Sequence, residues 1–117
     1  VDTPSMAAAT LLHSLMSLRK PVILSDEDKI NSMLETTCRI SKQERDDAMT
    51  FAGWASGQVP DTNETVRRFL PLWANTLDPS QRQDLVNMAL QAAEIGGAPT
   101  DAQAAAIKRL SEGLLAK

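Results

Sequence analysis

Apolar residues recur at helical spacing along almost the whole chain, and no segment alternates polar and apolar positions as a half-buried strand would. The first run puts Ala8, Leu11, Leu12, Leu15 and Leu18 on one face. Thr3-Pro4 reads as a cap followed by proline at the first helical position, where the missing N–H costs nothing. Arg19 and Lys20 meet the negative end of the helix dipole, and Pro21 stops the run. A second helix is expected from "SDED" at 25–28, with Ser25 accepting from the Asp28 N–H, and it should bury Ile30, Met33, Leu34 and Cys38. "SKQE" at 41–44 is a stricter capping box. It opens a third helix to about Ala55 that buries Ala48, Phe51, Ala52 and Ala55, with Trp54 at the flank of that face.

After the loop-like "SGQVPD", Asp61 caps a fourth helix with the stripe Val66, Phe69, Leu70, Trp73 and Leu77. Pro71 inside that stripe removes the bond to the Arg67 carbonyl and predicts a kink or a split. Asp78-Pro79 repeats the cap-then-proline signal for a fifth helix to about Ile95, with Leu85, Met88, Ala89 and Ala92 inward. Thr100 and Gln103 form a capping box for a sixth, which buries Ile107, Leu110 and Leu114. The predicted fold is all-α: one domain over 1–117, a compact bundle of six to seven short antiparallel helices joined by short connectors.

Composition sharpens this picture. The chain has 117 residues, 43% of them hydrophobic, with two Trp, two Phe and no Tyr. That palette suits helices better than strands. The net charge is −3 with acids and bases interspersed, so no basic stripe is available for a phosphate backbone or an anionic membrane. One cysteine cannot form an internal disulfide and fits a reducing, cytoplasmic setting. "AAATLLHSLMSL" is too short to span a bilayer and is not expected to be a signal peptide. A chain beginning at Val1 is compatible with a piece of something longer.

A shift of 75 residues lays Ser25-Asp26 on Thr100-Asp101, each preceded by a short loop and an apolar helix, which predicts two pseudo-repeated halves. On these residues the chain resembles the tellurite-resistance TerB-like family of small all-helical domains. That family's repeated signature is an apolar helix, an Asp-Gly turn, a small polar cap and a glutamate on the next first turn. The resemblance covers residues 11–34 and 85–114 as motif. It implies a stress-related role and acidic turns able to hold a divalent cation. The departures are at those turns: Gly96, Gly97 and Gln103 in the second unit, Pro21, Val22 and Asp28 in the first. A loop reading "EIGGAP" brings one carboxylate, where a hard cation takes six or more oxygens. Gly96-Gly97 is therefore expected to end the fifth helix through a left-handed residue.

The candidate chemistry is sparse. His13 points away from the main face of the first helix and has no second histidine or cysteine near it in sequence, so a surface or interface role is favoured over a ligand role. Cys38 reads as a small core hydrophobe. Asp26, Glu27 and Asp28, with Glu44, Asp46 and Asp47 across a hairpin, are the best metal candidates, Asp26 and Asp28 first. Consecutive carboxylates fan outward, however, and suit a helix N-terminus without any metal. Trp54 and Trp73 are anchors for a core or for a partner. Met16 and His13 lie on a second, weaker face of the first helix, which makes that helix either central in the bundle or a contact for a partner. No nucleotide loop, zinc spacing or hydrolase elbow occurs. The expectation is a non-enzymatic interaction module without cofactor. It would bind a protein partner or itself through His13, Met16, Trp54 and Trp73, and neither nucleic acid nor membrane. The rival is a cation-binding stress protein using Asp26 and Asp28.

Overall fold

The first helix, α1 (Pro4–Ser17), is apolar around almost its whole circumference, so it is stable in water only if other helices surround it. They do. In a computed structural model, which describes residues 4–58 and 61–115, Ala7, Ala9, Leu11, Leu12 and Leu15 are fully buried. Each buried leucine contributes about 2 kcal/mol. Around α1 pack α2 (Leu24–Cys38), α3 (Lys42–Gln58), α4 (Thr62–Thr76) and α5 (Pro79–Ala93), while α6 (Asp101–Leu115) closes over α4 and α5. There is no strand among the described residues, and no helix is long and apolar enough to cross a membrane. The radius of gyration is 12.6 Å, close to the ~13 Å of one compact domain of this size.

Hydrogen bonds set the helix directions. Near the C-terminal end of α1, the Ser14 and Thr62 hydroxyls meet at 2.7 Å inside the core. At its other end Trp73 Nε1 donates to the Pro4 carbonyl at 3.4 Å, so α4 runs antiparallel to α1. The Gln103 amide donates to the Leu15 carbonyl at 2.8 Å, which places the start of α6 beside the end of α1. All four aromatic residues of the chain form one ladder. Trp54 contacts Phe51 at 5.9 Å between centroids, Phe51 contacts Phe69 at 6.5 Å, and Phe69 contacts Trp73 at 6.0 Å. The ladder bridges α3 to α4 and runs from the surface to the core.

The caps at Asp61, Asp78 and Thr100 form as their sequences predict. The Ser41 hydroxyl accepts from the Glu44 N–H as expected, although Glu44 Oε1 accepts from that hydroxyl where the capping box would bond the Ser41 N–H. The Thr3 cap lies outside the described residues. Four expectations change. α2 starts at Leu24, because the Ile23 carbonyl already accepts from Asp26 and Glu27 at 3.0 Å, and Ser25 is left exposed inside the first turn. Leu18 is exposed, since α1 ends at Ser17 and the chain turns out through it. α3 continues to Gln58. Pro71 does not split α4: Pro71 and Arg67 are both exposed, so water can reach the carbonyl that proline leaves without a partner. Gly96 and Gly97 do end α5 with positive φ, 94° and 136°.

Candidate functional site

The residues expected to form an interaction face separate. Met16 is 6% exposed and Trp73 0%, so both are core, and this corrects their assignment to a surface. The second face of α1 that carries Met16 is covered because the helix is central. Trp54 is 59% exposed and caps the aromatic ladder. His13 is half-buried; burial lowers its pKa below 6.5, partly opposed by the Glu27 carboxylate. Its Nδ1 is buried without a partner. Two exposed apolar residues that periodicity did not single out, Ile23 and Leu24, stand at the start of α2.

The acidic residues disperse as well. Asp26 is buried, and its Oδ2 accepts from Lys20 Nζ at 3.0 Å and from the Ile23 N–H at 3.1 Å. These donors hold its carboxyl below the usual range, Lys20 foremost. Asp28 is exposed and shares no partner with it. Across the hairpin Arg45 takes Glu35 and Asp46, Ser41 takes Glu44, and Gln43 takes Asp47. Among the described residues no three acidic, histidine or cysteine side chains converge as a metal site would require. The pair Asp26 and Asp28 is thus a helix cap plus a solvated acid.

The structure forms a cleft elsewhere, at the end of the bundle where α1 and α5 begin and α2 and α4 finish. It encloses about 670 Å³. Its floor is apolar: Ala8, Leu85 and Met88, with Trp73 beneath. Its walls carry the hydroxyls of Ser5, Thr36, Thr37 and Ser80, the Cys38 thiol, and three charged groups, Arg39, Asp78 and Asp84, of which Asp78 is engaged as the cap of α5. Cys38, the only cysteine, is half-buried and sits on this wall. Burial raises its thiol pKa, and the nearby Asp84 charge raises it further. The single histidine does not line this cleft, so the thiol has no imidazole there to activate it. Sequence periodicity missed the cleft because its lining comes from the ends of four helices that are distant in the chain.

The opposite end of the bundle is closed. Arg19 reaches across to the carbonyls of Ala93 and Gly97, at 3.1 and 3.3 Å, to that of Ala98, and to Gln103 Oε1 at 3.4 Å. The loop "EIGGAP" is therefore a connector bound by a guanidinium. Comparison with protein-family models, with curated proteins and with solved structures finds no match to this chain.

Proposed function

We propose that the chain is a non-enzymatic helical interaction module of TerB-like type with a stress-related role, binding a protein partner through an apolar anchor at Trp54. The observation that supports the reading is a tryptophan 59% exposed on α3 and backed by Phe51 at 5.9 Å. Tryptophans so placed are enriched among the residues that dominate binding energy. The Phe51 ring beneath supports one side of the indole, and such packing reduces the freedom lost when a partner covers it. Leu24, 78% exposed, offers a second apolar contact at the start of α2.

The test compares wild type with Trp54→Ala and Leu24→Asp, by light scattering for self-association and by pull-down for a partner. Loss of a central anchor weakens association roughly tenfold or more. Both sites are exposed, so melting temperatures should hardly move. If both variants stay folded and keep the oligomeric state and partners of wild type, the reading fails.

A further inference from the structure

The cleft has the size of a small-molecule site and an arrangement of charge that the fold does not use. Arg39, just after α2, and Asp84, on α5, both line it. Among the described residues neither side chain enters a hydrogen bond or an ion pair, so the two opposite charges do not neutralise each other. The hydroxyls of Ser5, Thr36, Thr37 and Ser80 likewise have no side-chain partner there. Other polar groups of the lining are committed. Asp78 Oδ1 accepts from the Gln81 N–H at 2.8 Å, the Gln81 side-chain Oε1 accepts from the Asp78 N–H at 2.9 Å, and the Thr76 hydroxyl donates to the Leu72 carbonyl at 2.6 Å.

Arg39 adds a second kind of observation. It is the one non-glycine residue with positive φ among those described. A helix end of this shape is made at least cost by glycine. Here a long cationic side chain stands in that position, at the cleft.

We propose that the cleft binds a small zwitterion, its ammonium group held by Asp84 and its carboxylate by Arg39. Free α-amino acids and short peptides share this chemistry. The volume of about 670 Å³ favours a di- or tripeptide. The wall hydroxyls bond its amide groups, and the apolar floor takes a small side chain.

Cys38 supplies the readout, because it lines the same cleft and is the only cysteine. The rate of its modification by N-ethylmaleimide is measured with and without L-alanyl-L-alanine. The comparison arms are L-alanine, the N-acetylated dipeptide and the dipeptide amide. The free dipeptide should slow modification. The acetylated and amidated forms should bind roughly tenfold or more weakly, each having lost one charge-assisted contact. Asp84→Asn should erase the difference between free and acetylated peptide, and Arg39→Gln that between free and amidated, each judged as the ratio of rates with and without peptide. Far-ultraviolet dichroism confirms that the variants fold. In a Trp54→Phe background, a change in Trp73 emission on adding the dipeptide gives an independent reading. Protection by L-alanine equal to that by the dipeptide keeps the zwitterion and assigns it to free amino acids. No protection at millimolar dipeptide, or equal protection by the blocked peptides, overturns the proposal. Trp54 does not line the cleft, so this outcome is independent of the partner-binding test.

Discussion

Where α1 and α5 end and α6 begins, backbone carbonyls are answered across elements, although Arg19 Nε is buried there without a partner among the described residues. Arg19 holds the last carbonyl of α5, Ala93, and two of the α5–α6 connector, Gly97 and Ala98, and Gln103 caps its own helix while donating to Leu15 of α1. At the opposite end, α5 is capped within its own first turn by Asp78 and Gln81, so that cap does not close the space between helix ends. A cleft remains there, with Arg39 and Asp84 free of ion pairs among the described residues. Helix termini leave unsatisfied groups at both ends of any bundle. Answering them across elements joins the structure, whereas answering them locally leaves side chains available for something else. The first end should therefore carry stability, and the second should tolerate change.

Arg19→Ala tests this most strongly. It removes charge-assisted bonds to Ala93, Gly97 and Ala98 and leaves those carbonyls to water or to nothing. Unfolding in urea should show a loss of about 2–3 kcal/mol. Arg19→Lys should recover only part of it, since the lysine ammonium ends short of the Nη2 position from which Arg19 makes all of these contacts. The control at the other end is Arg39→Ala, expected to stay within about 0.5 kcal/mol of wild type. Equal losses at the two arginines would remove the distinction between the ends.

Much of the closed end was legible in the sequence. Thr100 with Gln103 is a capping box, and Gly96-Gly97 reads as a helix stop; both form where expected. Both signals are local, so a few consecutive residues contain them. The second role of Gln103, bonded to Leu15 88 residues away, depends on which helices become neighbours, and periodicity does not encode that. The same limit explains Met16 and Trp73. Their faces were visible, but whether another helix or a partner covers them is decided by the central position of α1 and the ladder from Trp54 to Trp73. The cleft was hidden for the same reason, because it is a property of four helix ends and of no single segment.

His13 gives a smaller and more specific test, since it couples α1 to α2 through pH. Burial lowers its folded pKa below 6.5, with Glu27 opposing. The unfolded chain thus binds the proton at higher pH than the folded chain does. Stability is then full above about 6.5 and falls as pH drops through that value towards the folded pKa. Asp26, held below the ordinary carboxylate range by Lys20 and the Ile23 N–H, acts only at lower pH. His13→Gln should flatten the dependence of the urea midpoint between roughly pH 7.5 and pH 5.5. An unchanged slope would place the pH response elsewhere.

The smallest effect on stability is expected at Asp84, and it probes the open end directly. Asp84 is exposed and forms no ion pair among the described residues, so Asp84→Asn should move the unfolding free energy by no more than about 0.5 kcal/mol. Its chemical effect should be distinct. Burial is the larger reason that the Cys38 thiol resists ionisation, and the Asp84 charge is the second. Removing that charge leaves burial in place and lowers the thiol pKa part of the way back. At mildly alkaline pH the thiolate fraction rises, and N-ethylmaleimide should modify Cys38 faster than in wild type. The ratio of the two rates should shrink in high salt if the coupling runs through the solvent-exposed mouth of the cleft, because screening then weakens it in wild type. An unchanged modification rate in a folded Asp84→Asn protein would mean that Asp84 does not act on the Cys38 wall. The open end would then lack the electrostatic continuity that distinguishes a binding cleft from a gap between helix ends.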